Sequence, residues 1–524
     1  MDMSKLNGSF AVAEDHMQTI SQIMANGGRP AGSMREIKIV DTTFRDGQQS
    51  LWATRMRTEH MLSMLDDITS AGFTQVDLVA PIQFDVSVRY LKEDPWERVR
   101  LLHERAPGTK FRALIRSRNI ASFDFLPDDV IQSWVERLYA NGFRIIGSFD
   151  GLNDIDNIAP GLRRAKELGA YTFGALSYCE SPVHTDALYI AKTKEYLEKT
   201  DIDAFMLKDA GGLLTPERIR TLVPAIKDLI GDRPLEIHSH CLTALAPLVY
   251  LEAVEHGADV LHLSIAPLAN ANGQPAVQSV VRDLKALGYE VNLDMARIAK
   301  VSERLHQIAE DEGKPVGVPV EYNGLHYMHQ IPGGMLSNFQ SQLKTAGLED
   351  RFDELLVEVA KVRSELAYPI MITPFAQFVG TQAVLNVITG ERYKIVPNEI
   401  KKYVLGYYGK LLAPIDPELR ERIIRNGASE ISGEPGPIPH MLPDLAARYP
   451  DDDIDTLLLR AMFAGTQVDE MVKAKKEGSP ADGGSSLLAL IKRAHAQNAG
   501  KRALAIKTAN FELKLGIEKV NANG

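Results

Sequence analysis

One pattern constrains the fold of this chain more than any other: eight short apolar runs alternate with eight amphipathic helical stretches. The runs contain many β-branched and aliphatic residues, and each stretch after them carries apolar residues at helical spacing. Successive runs lie about 25–35 residues apart, which is the spacing of repeated β–α units. The predicted strands are residues 37–40, 75–80, 111–116, 143–149, 171–178, 204–208, 235–240 and 260–265.

The pattern predicts an α/β fold, a closed (β/α)₈ TIM barrel over residues 36–300. Parallel strands that are buried on both faces are apolar throughout, and most of the eight runs have this character. A doubly wound open sheet is the alternative, and the even number of units favours the barrel. The predicted helices are residues 58–71, 96–105, 130–140, 158–168, 187–199, 216–230, 242–256 and 274–287.

Beyond residue 293 the helical patterns continue without strands, which predicts a mainly helical C-terminal domain over residues 301–470. Residues 1–35 are small and polar, and we expect a flexible lead-in there. Residues 471–524 are predicted to form a flexible joint and a helical tail, with an amphipathic piece at 485–496. Such a tail could dock a partner.

Composition excludes several classes of protein. The chain has 524 residues, 45% hydrophobic and 24% charged, as in ordinary globular proteins. A net charge of -10 without a long basic run argues against nucleic-acid binding. No run of about 20 apolar residues predicts a membrane span. The two cysteines, Cys179 and Cys241, cannot form a disulfide framework, and with no apolar signal core they indicate a cytoplasmic protein.

The carboxyl ends of the strands are where a barrel places its active site. The first strand leads into Asp-Thr-Thr-Phe-Arg-Asp-Gly-Gln-Gln-Ser at 41–50, in which Asp46 could hold a ligand or cap the next helix. His238 and His240 end the seventh strand, and residues i and i+2 of a strand point to the same side. Together with Asp46 they predict a mixed nitrogen and oxygen site for Zn²⁺, Mn²⁺ or Co²⁺.

Lys208 closes the apolar run of the sixth strand, and a buried lysine needs a partner or a function. An ion pair with Asp209 or Asp46 is the simplest interpretation. Burial also lowers the pKa of a lysine and makes its amine nucleophilic. Lys208 could therefore form a Schiff base, or react with CO₂ to give a carbamate that binds metal. The residues alone leave these alternatives open.

These residues lie in motifs that resemble the carboxyltransferase subunit of biotin-dependent enzymes. That family includes oxaloacetate decarboxylase alpha subunits, B subunits of two-subunit pyruvate carboxylases, and transcarboxylase. The resemblance runs from about residue 37 to 415, and the motifs keep one order along the chain. They are DTTFRDGQQSLWATRMRT (41–58), EDPWER (93–98), FDGLND (149–154), SPVHT (181–185), LKDAGGLLTP (207–216), HSH (238–240), IPGGMLSNFQSQL (331–343) and ITPFAQFVGTQAVLNVITGERY (372–393).

The resemblance implies a role for each matching residue. Asp46, His238 and His240 match the metal ligands, and Lys208 matches a lysine that carries CO₂ as a carbamate and also binds the metal. Lys208 is thereby assigned to catalysis as well. The implied cofactors are a divalent metal and biotin.

The resemblance also implies the residues that handle the substrate. Arg116 matches the arginine that binds the keto acid, and Gln49 lies beside it; both are assigned to catalysis as well as to binding. Arg45 and Asp85 are assigned to substrate binding. Thr373 matches a threonine that relays a proton between substrate and biotin. Its hydroxyl could equally cap the helix that follows, with Pro374 at the first position.

The implied activity is that of a metal-dependent carboxyltransferase of the oxaloacetate decarboxylase or pyruvate carboxylase type. It moves a carboxyl group between carboxybiotin and a small keto acid such as pyruvate or oxaloacetate, through a metal-stabilised enolate. The attachment motif Ala-Met-Lys-Met and a Gly-rich ATP module are missing from the sequence. The expected partners are therefore a separate biotinylated carrier, biotin carboxylase or decarboxylase subunits, and a second copy in a homodimer.

The sequence departs from the family pattern around the pocket rather than around the metal ligands. The changes fall at 79–83, at 241–244 and at 269–273, and Gly147 replaces an arginine. They leave open a different keto or acyl acceptor. A biotin-independent aldolase or lyase on the same barrel would also fit such changes, as would a non-catalytic assembly subunit. The presence of Lys208 and Thr373 argues against the lyase, and the complete ligand set argues against the inactive subunit.

Overall fold

The computed structural model describes residues 35–345, 347–477, 503–508 and 511–516. Eight parallel strands form a closed barrel, in which β1 pairs with both β2 and β8. The barrel predicted from the sequence is therefore confirmed. Its strands are β1 (Lys38–Asp41), β2 (Gln75–Val79), β3 (Phe111–Arg116), β4 (Ile145–Phe149), β5 (Tyr171–Ser177), β6 (Ala204–Asp209), β7 (Leu235–Ser239) and β8 (Val260–Leu263).

Helices surround the barrel, and local signals in the sequence explain where several begin. The side chain of Asp94 accepts hydrogen bonds from the backbone of Trp96 and Glu97 at the start of one helix. Thr215 caps another in the same way, and proline follows each cap, where it lacks only an N–H that would be unpaired. The main helices are Thr58–Thr69, Pro95–Arg105, Asp128–Ala140, Ile155–Glu167, Asp186–Lys199, Pro216–Ile230, Ala246–Glu255 and Val277–Ala286.

The helices after the barrel fall into two groups. Gly333–Thr345, Phe352–Glu365, Phe375–Thr389, Asn398–Val404 and Pro417–Asn426 build a second hydrophobic cluster, which includes Leu152 from a loop of the barrel. This group covers the carboxyl ends of the strands. Met295–Glu312, Ile454–Met462 and Gly465–Lys476 instead pack on the outside of the barrel and share its hydrophobic core. The region is mainly helical, as expected.

The C-terminal residues differ from the prediction of a flexible joint and helical tail over 471–524. Helix Gly465–Lys476 continues past residue 471, and β9 (Ala503–Thr508) pairs antiparallel with β10 (Phe511–Gly516). The prediction was wrong for these residues: β9 begins with four apolar residues, and apolar and polar residues alternate in β10, a period typical of strands. The predicted lead-in over 1–34 and the amphipathic piece at 485–496 lie outside the described residues.

Within the part of the chain that the structure describes, no helix combines the length and the hydropathy that crossing a bilayer requires.

Candidate active site

A cavity of about 270 Å³ opens at the carboxyl ends of the strands. It is bounded by the loop after β1, by β6 and β7, and by the segment before helix Phe375–Thr389. Most of the residues predicted to be functional line it. They are Arg45, Asp46, Gln49, Arg116, Lys208, His240 and Thr373.

Asp46 lies in a tight turn that directly follows β1. Residues Thr43–Gly47 form one π-helical turn, and Asp46 is buried within it. A Cβ at Gly47 would lie 2.6 Å from the carbonyl oxygen of Leu268, so the close approach of the two loops requires glycine. The next long helix begins only at Thr58, after Arg57. Asp46 therefore does not cap it, and the alternative interpretation of this residue was wrong.

Asp46, His238 and His240 converge at one point. Oδ2 of Asp46 lies 3.0 Å from Nε2 of His238 and 3.5 Å from Nε2 of His240. The two Nε2 atoms lie 3.3 Å apart. All three residues are buried. One carboxylate and two imidazoles thus direct their donor atoms to a single position, as the strand pattern predicted.

The aspartate of this cluster is ionised. Burial opposes its ionisation, but the neighbouring Arg45 guanidinium and His240 hold the pKa of Asp46 well below its ordinary value. Nη1 of Arg45 donates to Oδ2 of Asp46 at 2.5 Å, and its Nη2 donates to Oδ2 of Asp77 at 2.6 Å. Arg45 was predicted to bind substrate, yet its guanidinium is largely occupied by these two carboxylates.

Hydrogen bonds orient the imidazole of His240. Its Nδ1 donates to the carbonyl oxygen of Asn272 at 2.6 Å, so its Nε2 carries the lone pair. The side-chain amide of Gln274 donates to that Nε2 at 2.9 Å. The amide oxygen of Gln274 accepts a hydrogen bond from Thr42 at 3.0 Å, which fixes the direction of the amide. His240 consequently presents a lone pair towards Asp46.

Lys208 is a buried cation without an ion pair. It is the register partner of His238 on the neighbouring strand. No hydrogen bond or salt bridge joins its Nζ to a described residue, and the ring of Phe149 lies 5.2 Å away. Burial lowers the pKa of Lys208 to about 8. The predicted ion pair with Asp209 or Asp46 does not form: Asp209 instead accepts hydrogen bonds from Leu213 and Ser239, among others.

Arg116 and Gln49 also carry unpaired polar atoms. Nη2 of Arg116 donates to the carbonyl oxygen of Ser122 at 2.6 Å, but its Nε has no partner among the described residues. Burial lowers the pKa of Arg116 to about 10. The buried Oε1 of Gln49 is also without a described partner. Asp85 does not line the cavity; its carboxylate lies 3.4 Å from Arg89, and it attracts Arg116 electrostatically.

Thr373 lies at the edge of the cavity, just before helix Phe375–Thr389. Pro374 is the cap residue of this helix, and no side chain caps its first turn. The capping role considered for Thr373 was therefore wrong. Its hydroxyl oxygen accepts a hydrogen bond from Nε2 of Gln377 at 3.1 Å, which leaves its proton free to be donated.

Sequence reasoning missed several polar residues that support the cluster, namely Asp77, Glu236, His262 and Gln274. Asp77, Glu236 and His262 lie inside strands, and Gln274 lies in the loop after β8. Glu236 shares its strand face with His238 at position i−2, and His262 interrupts the apolar strand β8. The signal available in the sequence was a polar residue inside a strand that is otherwise buried and apolar.

Two family matches cover most of the folded chain. Residues 155–305 match the HMGL-like family, and residues 327–482 match the conserved carboxylase domain. The carboxyl transferase domain of Rhizobium etli pyruvate carboxylase, solved with pyruvate and biocytin, has the same fold. It aligns with a TM-score of 0.76 at 23% identity, over 85% of this chain and 78% of that one. The barrel and the helices that cover it thus share the fold of a carboxyl transferase domain.

Sequence relatives narrow this class. The pyruvate carboxylase B subunit of Methanocaldococcus jannaschii is 43% identical over 402 residues, which cover 76% of this chain and 70% of the relative. The large subunit of 2-oxoglutarate carboxylase from Hydrogenobacter thermophilus is 38% identical over 400 residues, covering 76% and 61%. The chain belongs to the family of biotin-dependent carboxyltransferase subunits that includes the B subunits of pyruvate carboxylases.

Proposed function

We propose that the chain transfers a carboxyl group between carboxybiotin, carried on a separate protein, and a small keto acid of the pyruvate and oxaloacetate type. The observation that carries this proposal is the pair of cations that line the cavity without a carboxylate partner, the buried Lys208 and the partly buried Arg116. Unpaired buried charge is costly, so these groups are expected to meet their partners in ligands. A keto acid supplies a carboxylate, and CO₂ supplies one when it reacts with an amine.

Asp46, His238, His240 and Lys208 are proposed to hold a divalent ion such as Zn²⁺, Mn²⁺ or Co²⁺. The donor atoms of the first three lie 3.0–3.5 Å apart, which suits ligands each about 2.1 Å from one ion. The lone pair of His240 faces the ionised Asp46, so two acceptors meet there without a proton between them. A bound divalent ion supplies Lewis acidity, which polarises the keto oxygen and favours the enolate.

Lys208 is proposed to contribute a carboxylate by carbamylation. Because its pKa is about 8, a larger fraction of its amine is neutral near neutral pH than in an exposed lysine. The neutral amine adds to CO₂ and releases a proton, which leaves an anionic carbamate in place of the cation. This reaction would remove the unpaired positive charge and complete the ligand set.

Arg116 and Gln49 are proposed to bind the keto acid. Arg116 offers an unpaired N–H to the carboxylate, and Gln49 contributes a second polar group to the same cavity. Asp85 would act indirectly, through its attraction to Arg116. Arg45 would act by holding Asp46 in place, since its guanidinium is already paired.

Thr373 is proposed to relay the proton. In the decarboxylating direction the C3–C4 bond of oxaloacetate breaks, CO₂ leaves, and the electron pair remains as the enolate of pyruvate. The ureido nitrogen of biotin bonds to CO₂ and loses its proton. The hydroxyl of Thr373 gives a proton to C3 of the enolate and takes one from biotin, so that charge and atoms balance. Gln377 would hold the hydroxyl in the required direction.

The acceptor is proposed to be a keto acid with one carboxylate besides the group transferred. Of the three cations that line the cavity, Arg45 is paired with Asp46 and Asp77. If Lys208 is carbamylated, only Arg116 remains to bind an anionic group. The relative named 2-oxoglutarate carboxylase acts on an acid with two carboxylates, as its name states. A second such group would find no unpaired cation here.

The domain organisation and partners are proposed as follows: residues 36–300 bind metal and substrate, residues 301–470 complete the site, and the C-terminal segment docks a partner. The biotinylated carrier and the carboxylase or decarboxylase subunits would be separate chains. A homodimer is supported by an apolar segment held against the mouth of the barrel by a hydrogen bond from Ala271 to Val318. In this segment Val318, Tyr322 and Leu325 are 57%, 65% and 68% exposed.

The experiment that tests the proposal is oxaloacetate decarboxylation by the full chain, with and without free biotin and with the metal content measured. We expect turnover that biotin stimulates. Thr373→Ala should lower the biotin-stimulated rate by about 100-fold or more, because a positioned proton relay accelerates a reaction by about this factor. Thr373→Ser, which keeps the hydroxyl, is the matched control. Turnover that does not respond to biotin, in a protein that holds metal, would instead favour a biotin-independent lyase.

A further inference from the structure

A chain of four buried polar side chains runs through the barrel interior beneath the proposed metal site. Nδ1 of His238 lies 3.2 Å from Nδ1 of His262. Nε2 of His262 lies 2.9 Å from Oε2 of Glu236. The same oxygen accepts a hydrogen bond from Nη1 of Arg112 at 2.9 Å. The four residues are at most 2% exposed, so water does not compete for these contacts.

The carboxylate of Glu236 determines which nitrogens of His262 and His238 donate and which accept. It can only accept, so Nε2 of the neutral His262 must carry the proton. Nδ1 of His262 is then the acceptor, and Nδ1 of His238 must donate to it. His238 is left with its lone pair on Nε2, the nitrogen that faces Asp46 and His240. The tautomer of one proposed metal ligand is thus fixed by residues that do not touch the metal site.

Gln274 supports the same assignment independently. Its amide oxygen lies 3.0 Å from the hydroxyl of Thr42 and 3.3 Å from that of Ser264, and its amide nitrogen faces the histidines. That nitrogen lies 3.3 Å from Nε2 of His238 and 2.9 Å from Nε2 of His240. An N–H donor at this position requires lone pairs on both imidazole nitrogens.

The surroundings of these four side chains differ from ordinary apolar packing. The guanidinium of Arg112 stacks 3.7 Å above the ring of Phe173. A Cβ at Gly147 would overlap that ring, so the glycine makes room for it. Buried charged residues are often less stabilising than apolar residues of the same volume. The barrel nevertheless places these hydrogen-bonded polar side chains here, and the last of them, His238, is a proposed metal ligand.

We infer that His262 is a positioning residue, which, held by Glu236 and Arg112, keeps His238 in the tautomer and orientation that bind the metal. The inference rests on the proposed metal site. It differs from the arrangement at His240, whose Nδ1 is oriented by the backbone carbonyl of Asn272. The backbone carbonyl of Asn272 cannot be removed by substitution, whereas the side chain of His262 can.

The test is the affinity of the full chain for Zn²⁺, measured by competition with a chelator in bicarbonate buffer. His262→Leu removes the acceptor and should weaken Zn²⁺ binding by about 10- to 100-fold, as loss of such partners does at other metal sites. His262→Gln keeps an acceptor for His238 and a donor for Glu236, and should stay within about threefold of wild type. The absorption spectrum of the Co²⁺ form should change in His262→Leu and not in His262→Gln.

Two controls separate this effect from folding. His103→Leu replaces a histidine that packs between Phe111 and Phe143 on the outer side of the barrel, and it should leave Zn²⁺ affinity unchanged. Thermal unfolding of the metal-free proteins reports whether each variant folds. If His262→Leu does not fold, His262→Met serves instead, because its flexible thioether fills space and is a weak acceptor.

Each outcome has one meaning. Wild-type affinity in a folded His262→Leu protein would overturn the inference and leave the metal site standing. Equal losses in His262→Leu and His262→Gln would assign the effect to the shape of the imidazole and overturn it too. A wild-type chain that binds no Zn²⁺ or Co²⁺ would overturn the metal site and, with it, the role of His262.

Discussion

Two concave regions of this molecule differ in the state of their charges. The cavity at the mouth of the barrel is the smaller, about 270 Å³. The buried Lys208 and the partly buried Arg116 line it without carboxylate partners. A cleft of about 840 Å³ lies farther along the surface, beside residues 402–411 and 434–438. Three of its four cations are paired: Lys402 with Asp124 at 2.8 Å, Lys410 with Asp156 at 2.5 Å and Arg118 with Asp128 at 2.5 Å. The fourth, Arg420, is exposed to solvent.

The difference teaches that unpaired buried charge, rather than volume, identifies the site. Folding leaves a charge buried without a partner only at a large cost. Where the protein itself supplies the partner, or water surrounds the charge, as in the cleft, nothing remains for a ligand to satisfy. The following predictions test this contrast.

The largest effect is expected at Lys208. Lys208→Ala should lower decarboxylation by about 1,000-fold, because it removes a charged group at the point where charge develops. Lys208→Arg should be equally inactive, since a guanidinium stays charged and does not add to CO₂. Steady-state rates measure the loss, and native mass spectrometry should find one bound CO₂ per wild-type chain and none in either variant. An active Lys208→Arg protein would contradict the carbamate.

Arg116→Ala should lower kcat/KM for oxaloacetate by about 100-fold, mainly through KM, because the substrate carboxylate loses its only unpaired cation. Arg116→Lys should recover part of this loss, since it keeps the charge but not the planar fork. Initial rates over a range of oxaloacetate concentrations separate the two parameters. An unchanged KM in Arg116→Ala would show that the carboxylate binds elsewhere.

The buried carboxylate of Asp41 tests the same contrast through the stability of the protein instead of its activity. Burial raises the pKa of Asp41 to about 7 from 3.8, and its Oδ2 has no described partner. The folded state therefore holds more protons than the unfolded state between these values, and stability is lost as the pH rises through about 7. As the pH goes from 5.5 to 8, the free energy of unfolding of Asp41→Asn should rise by about 2 kcal/mol relative to that of wild type. Urea unfolding at both pH values measures it, and a difference that does not change with pH would refute the assignment.

The smallest effect is expected in the cleft. Lys402→Ala breaks a pair whose Asp124 is 60% exposed, so it should change the free energy of unfolding by less than about 1 kcal/mol. Decarboxylation should be unchanged, in contrast with the loss in Lys208→Ala. A large loss of activity in Lys402→Ala would mean that the cleft takes part in function. Paired charges would then not be evidence that a surface has no function.

Much of the site could be predicted because it lies at the ends of strands. Strand β3 begins and ends at the predicted residues, and the i, i+2 rule correctly placed His238 and His240 on one side. The start of helix 375–389 could not be predicted in this way, because its first turn carries no charged or capping signal. Strands β9 and β10 were missed, although apolar and polar residues alternate in β10.

By itself the sequence determined the eight β–α units, the face on which polar residues gather, and the residue types available there, because periodicity and strand ends are local properties of the chain. Only the tertiary structure decided which charges are paired. Arg45 is occupied by Asp46 and Asp77, Lys208 is left alone, and His262 reaches His238 from the neighbouring strand. Pairing depends on distances between residues far apart in the sequence, and closure of the barrel sets these distances.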